Sequence, residues 1–146
     1  YCVSNHPKFD VLRLVCRPYV FTASLPPSVI ASATKALELI KNSNLRTKLL
    51  ENSKRLNDGL SDAGFNVGTT GQSPIAAIII DQQDTAIAYW QKMMQNGVYV
   101  NLAVPPATPN GLNLMRCSLS AAHSFEQIDY ILEKFIAVGK EIGVLK

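Results

Sequence analysis

An α/β chain of the α+β kind, with helices packed on one face of a small antiparallel sheet, is predicted by three features of this sequence. Apolar residues recur at helical spacing in four stretches, 29–40, 45–60, 87–94 and 128–138. Short β-rich runs stand at 65–67, 75–80, 98–102 and 114–119, and the second of these, IAAIII, is too apolar to be exposed on both faces. In order, the elements read helix–helix–strand–strand–helix–strand–strand–helix, which favours helices layered on one side of an antiparallel sheet. With 146 residues, 47% of them hydrophobic, the chain can bury one domain-sized core.

Each element has local support. Residues 1–4 read as the end of a strand. Pro7 opens a short helix that runs to Arg17, Pro18 ends it, and 19–24 is extended. Pro26 and Pro27 lead into a helix carrying Val29, Ile30, Ala33, Leu37 and Ile40 on one side. Asn44 is the expected N-cap of the next helix, with Leu45, Leu49, Leu56 and Leu60 as its buried stripe and Gly64 as its stop. Asp84 is expected to cap a helix through Asn96 that packs Ile87, Trp90 and Met94, and Gly97 terminates it. After strand 98–102 comes a loop stiffened by Pro105, Pro106 and Pro109, then strand 114–119. Ser124 and Gln127 form a capping box for the last helix, whose stripe is Ile128, Ile131, Leu132, Phe135 and Val138. Residues 1–24 fit this module poorly. They are expected to be the tail of another, larger domain, with 25–146 as a small C-terminal domain.

Charge and cysteines narrow the function. A net charge of +3 is small, and the densest basic group, Lys48, Lys54 and Arg55, reads as a solvated helix face rather than a nucleic-acid footprint. The three cysteines, Cys2, Cys16 and Cys117, have no metal-ligand spacing, and their odd number argues for a reducing, cytoplasmic setting. No apolar run approaches membrane-spanning length, so any membrane contact would be peripheral. His6 and His123 give no metal site, and His123, just before a capped helix, reads as structural.

The residue that stands out is Arg116. On a strand over 114–119, Met115, Cys117 and Leu119 share one face, and Arg116 projects from the other with Leu114 and Ser118. A planar guanidinium among apolar and small neighbours suits a carboxylate held bidentately. The competing reading is a solvent-facing arginine on a sheet with one wet side.

Several spaced motifs resemble one family. Gly97-Val98-Tyr99-Val100, Val104-Pro105-Pro106, Met115-Arg116 and the run from Ala121 to Ile128 follow its strand, Pro-rich loop, Leu-Arg strand and A-A-H-[ST]-x-E-Q-I helix start. The segment 21–27, FTASLPP, and the closing VGKEIGV are similar to its F-[ST]-x-S-L-P-P motif and its end. The chain is thereby identified as resembling the C-terminal portion of the α-oxoamine synthases, fold-type-I pyridoxal-phosphate enzymes that condense an amino acid with an acyl-CoA and release CO₂. Within that family the segments 12–28 and 105–109 are nearest to the members that take L-serine and palmitoyl-CoA and give 3-oxosphinganine.

The resemblance implies pyridoxal 5'-phosphate as cofactor, L-serine and an acyl-CoA as substrates, and a homodimer with a shared active site. Arg116 matches the family arginine that binds the amino acid's carboxylate. Thr22 matches a hydroxyl that reaches the cofactor phosphate across the dimer interface, and Ser24 is a weaker candidate for that neighbourhood. The match departs at Val104, where many relatives carry arginine, and Asn101 or a neighbour of it could compensate. Two alternatives share these features: a sister enzyme using glycine and acetyl-CoA, and a non-enzymatic small-molecule-binding αβ module. No lysine here matches the family's cofactor-bearing lysine, which belongs upstream of Tyr1, so the 146-residue chain by itself is expected to be inactive. Mixed with pyridoxal phosphate, it is expected to develop no yellow cofactor–lysine absorbance; appearance of that band would overturn the reading.

Overall fold

A computed structural model describes residues 3–21, 25–69 and 71–145. The chain divides into two compact units, Tyr1–Asn42 and Ser43–Lys146. The first is helical throughout its regular structure. A 3-10 turn, Phe9–Val11, runs into α1 (Leu12–Val15), and α2 (Arg17–Val20) and α3 (Pro27–Lys41) follow. Pro18 does not end a helix, as its sequence context suggested, but lies in the first turn of α2. There its missing N–H is no loss, since first-turn donors have no intrahelical acceptor. The break falls instead at Cys16, whose extended backbone (φ −78°, ψ 101°) separates α1 from α2. Tyr19 and Val20 are accordingly helical rather than extended, and Val3 and Ser4 belong to no strand. The rest of the expected extended segment, residues 22–24, lies outside the described residues. Helix α3 starts at Pro27 as expected, and its apolar residues Val29, Ile30, Leu37 and Ile40 are exposed within this unit.

The second unit holds the sheet. Its strands β1 (Ile75–Ile80), β2 (Asn101–Ala103) and β3 (Asn113–Ser118) are all antiparallel, in the order β1-β3-β2. Helices α4 (Leu45–Asp62), α5 (Gln83–Gln95) and α6 (Phe125–Ile142) supply the second layer. Ile78, Ile80, Met115 and Cys117 point into a core completed by Leu56 and Leu60 of α4, Tyr89 and Met93 of α5, and Ile128, Phe135 and Val138 of α6. At its centre Phe65, Tyr89 and Phe135 meet with ring centroids 6.0–6.5 Å apart, two of the three pairs edge-to-face. The buried Tyr89 hydroxyl donates to the Phe135 carbonyl, so its polar end is satisfied. Among the described residues no helix is long and apolar enough to cross a membrane.

Several local expectations shift. Asn44 occupies the N-cap of α4 but makes no side-chain cap bond; the Ser43 hydroxyl lies 3.4 Å from the Leu45 amide instead. Leu45 is exposed, and α4 buries Asn52, Ser53 and Asn57 along with Leu56 and Leu60. Those polar groups tie down loops: Asn52 Nδ2 donates to the carbonyls of Ser120 and His123 at 3.0 Å, and the Ser53 hydroxyl donates to the Ser73 carbonyl. Gly64 ends α4 with φ +93°, letting the Phe65 amide fold back onto the Leu60 carbonyl at 3.1 Å. Residues 65–67 shrink to a single bridge, Val67 to Ile78. On α5 the N-cap is Gln82, with Asp84 inside the first turn, and the buried positions are Ala86, Tyr89 and Met93 rather than Ile87, Trp90 and Met94. The capping box at Ser124 and Gln127 is present in both directions, and the stripe of α6 is as read from the sequence. Arg55 of α4 clamps Asp129 of α6 with two bonds of 2.7 and 2.8 Å, and this pairing holds the Asp129 carboxyl below its ordinary range.

Two glycines in helices test this packing. A Cβ at Gly139 would meet the Phe65 ring at 2.9 and 3.1 Å, while at Gly59 it would meet the tip of the Leu132 side chain even more closely. Alanine in a helix gains up to about 1 kcal/mol over glycine, and overpacking a rigid core costs about 1–3 kcal/mol. Phe65 is held between two aromatic rings, whereas Leu132 is only partly buried and can turn aside. Gly139→Ala is therefore expected to lower the denaturation midpoint and Gly59→Ala to leave it nearly unchanged, as read by chemical denaturation.

Candidate functional site

The side of the sheet away from α4, α5 and α6 carries the candidate site. Register places Arg116 of β3 directly opposite Ala77 of β1 on one flank and Asn101 of β2 on the other. Cross-strand partners of this kind hold their Cβ atoms about 5 Å apart on the same face. Ile79, Leu114 and Ala103, all half-buried, lie on this face one pairing further along. Arg116 is itself half-buried, and its guanidinium makes no hydrogen bond or ion pair with any described residue. A half-buried cation with its five donors unspent, flanked by an alanine and an asparagine, leaves room for a planar anion.

Strand alternation accounts for this arrangement. Asn113, Met115 and Cys117 are buried while Leu114, Arg116 and Ser118 are not, as the sequence pattern predicts. The register is pinned at one end by Asn113, whose buried amide donates to the Ile80 and Asp81 carbonyls at 3.0 and 3.1 Å. At the other end the Leu119 amide donates to the Pro74 carbonyl at 2.8 Å. On the second flank, β2 begins only at Asn101, later than its apolar alternation suggests. The Val100 carbonyl, just before β2, accepts from the Trp90 indole N–H at 3.0 Å. Tyr99, 73% exposed, lies before β2 with its hydroxyl 3.4 Å from Asn101 Oδ1. Its nearness to the site was legible in the alternation of Tyr99, Asn101 and Ala103 against Val98, Val100 and Leu102, but that pattern alone gave it no chemical role.

The loop from 104 to 112 closes this end of the sheet. Ala107 N donates to the Val104 carbonyl at 3.0 Å, the Thr108 hydroxyl to the Leu112 carbonyl at 2.6 Å, and Asn110 takes a left-handed backbone (φ 56°). His123 is built into the turn before α6: its Nδ1 accepts from the Ser120 amide at 3.1 Å and its carbonyl accepts from Asn52. A cleft of about 520 Å³ lies beside it, lined by Tyr99, Ser118, Glu126 and Tyr130 among others. Thr22 and Ser24, the expected cofactor-phosphate residues, lie outside the described residues. Among the described residues no three His, Cys, Asp or Glu side chains converge as metal ligands.

Comparison with known proteins follows the same lines. Residues 1–135 match the family described as class I and II aminotransferases. The chain is 50% identical to a serine palmitoyltransferase of Caulobacter vibrioides, across all of this chain and 36% of that protein. It is 36% identical to an 8-amino-7-oxononanoate synthase of Alkaliphilus oremlandii over 88% of its length and 33% of that relative. Among solved structures, a Sphingomonas wittichii serine palmitoyltransferase superimposes with a TM-score of 0.92 at 53% identity, covering 99% of this chain and 37% of that one. A variant of the S. paucimobilis enzyme bearing a PLP–myriocin aldimine gives 0.92 at 46% identity, over 98% and 36% of the two chains. The chain thus spans about a third of the length of the relatives it matches.

The register has a chemical consequence at Cys117, the neighbour of Arg116. Its thiol faces the core, 2% exposed, and burial pushes it up to about 11. A thiol so placed stays protonated and shielded at neutral pH. In a background with Cys2 and Cys16 replaced by serine, Cys117 is expected to react with an alkylating reagent only after denaturant is added; rapid labelling of the native protein would mean that the strand presents its other face.

Proposed function

The chain belongs to the class I and II aminotransferase family, with the α-oxoamine synthases as its near relatives, and from that premise we propose that it is the C-terminal part of a serine palmitoyltransferase. The reaction proposed joins L-serine with palmitoyl-CoA, releases CO₂ and CoA, and yields 3-oxosphinganine, the first long-chain base of sphingolipid synthesis. Residues 1–24 are assigned to the tail of the large cofactor-binding domain and 25–146 to the small domain, with α3 as the connector. The observation that carries the reading is the guanidinium of Arg116, without an ion pair among the described residues, on the sheet face opposite α4 to α6.

Pyridoxal phosphate, when bound in such an enzyme, supplies the electron sink for the bonds broken at the substrate's Cα. The residues described here fit the substrate side of that site. Arg116 binds the carboxylate of the amino acid with two parallel N–H donors, which fixes rotation about the Cα–carboxylate axis. Holding that rotation sets which bond at Cα is aligned for cleavage, first the one to hydrogen and later the one to the carboxylate, an orientation effect. Half-burial of Arg116 strengthens the pairing by lowering the local dielectric. Thr22, with Ser24 near it, is assigned to the cofactor phosphate of the opposite subunit, which makes the enzyme a homodimer with shared sites.

The choice of L-serine over glycine, and of palmitoyl-CoA over a shorter acyl-CoA, rests on the identity to serine palmitoyltransferases, which exceeds that to the 8-amino-7-oxononanoate synthases. In the full-length enzyme, Arg116→Ala is expected to raise the KM for L-serine by about 10- to 100-fold, the worth of a hydrogen-bonded charge pair at about 1.5–3 kcal/mol. Steady-state kinetics with serine and glycine across acyl-chain lengths checks both claims. An unchanged serine KM would remove Arg116 from the site, and a preference for glycine with acetyl-CoA would assign the sister activity.

A further inference from the structure

We infer that Asn101 is a second donor to the substrate carboxylate, acting beside Arg116. This rests on the assignment of Arg116 to that carboxylate and adds to it a residue that sets how firmly the acid group is gripped. Register puts Asn101 directly across from Arg116, so the two side chains leave the sheet side by side on its face opposite α4 to α6. Ala77, on the other flank of Arg116, brings no polar group. Whatever polar help the arginine receives from its cross-strand partners therefore comes from β2.

The chemistry of the amide fits that place. Among the described residues, the hydrogen bond of the Asn101 side chain is at Oδ1, which accepts from the Tyr99 hydroxyl at 3.4 Å. Its Nδ2, with two N–H donors, has no hydrogen-bond partner among the described residues. A carboxylate offers about four lone-pair sites, and a bidentate guanidinium fills two of them. A neutral amide donor beside the fork can take a third without adding a second desolvated cation. Val104 gives that position no charge, so the grip proposed here is one cation and one amide. Asn101 is exposed and contributes nothing to the core, so replacing it leaves the fold intact.

The test uses the full-length holoenzyme and compares Asn101→Ala, Asn101→Asp and Arg116→Lys by steady-state kinetics with L-serine and with glycine. Asn101→Ala is expected to raise the KM for both amino acids about tenfold, with kcat and the acyl-CoA KM nearly unchanged. Asn101→Asp, which sets a like charge against the substrate, is expected to raise it further. Normal KM values in both Asn101 variants beside an impaired Arg116→Lys would overturn this inference and leave the arginine's role standing. If Arg116→Lys is also unimpaired, the carboxylate site itself is lost. A rise confined to serine would assign Asn101 to the serine hydroxyl instead and overturn the carboxylate contact. So would a change accompanied by a lowered melting temperature, which marks a structural role.

Discussion

A shift of one residue in the pairing of β3 would carry Arg116 into the core and Met115 and Cys117 out to solvent, because side chains alternate strictly between the faces of a strand. The site depends on that register. It is held by the apolar face, where Met115 stands opposite Ile78 and Leu102 and all three are buried or partly buried. Asn113 adds a polar lock: its amide is spent on the carbonyls that end β1, and a slipped strand would strand it without partners. The cation is thus positioned by its neighbours on the opposite face, with no ion pair among the described residues to place it.

The helical layer of this unit, α4 to α6, keeps that face of the sheet dry and packs on that side alone. Helix α5 lies over the strands with Ala86, Tyr89 and Met93, and α6 packs beside it through Ile128, Phe135 and Val138. The turn entering α6 is fixed by the Ser124–Gln127 capping box and by Asn52 reaching from α4 to the Ser120 and His123 carbonyls. That turn follows β3 immediately, so the polar bonds of α4 also steady the strand that carries Arg116. In this arrangement His123 is a structural element of the turn, accepting from the Ser120 amide.

Much of this was readable from residue order, and the failures have physical causes. Strand β3 was legible because its apolar residues alternate with Leu114, Arg116 and Ser118, and α6 because its cap and stripe agree. The face of α5 was misjudged by one position: Trp90 and Met94 are as apolar as Tyr89 and Met93, and only the aromatic contacts with Phe65 and Phe135 decide which are buried. The Trp90 indole bonds the Val100 carbonyl at the outer edge of the sheet, a tertiary contact that local alternation does not show. The basic face of α4 is solvated as read, with Lys48, Lys54 and Arg55 exposed, but the burial of Asn52, Ser53 and Asn57 depends on loops that helical periodicity does not show. At the site, Arg116 was legible as an isolated cation in an apolar strand. The weight of Asn101 emerges only from pairing between strands, which a single sequence does not reveal.

The most direct test is a crystal structure of the full-length enzyme with pyridoxal phosphate and L-serine bound. The account predicts the Arg116 guanidinium in a two-pronged contact with the serine carboxylate, at about 2.7–2.9 Å from each oxygen. A guanidinium turned to solvent, with the carboxylate held by other groups, would contradict it.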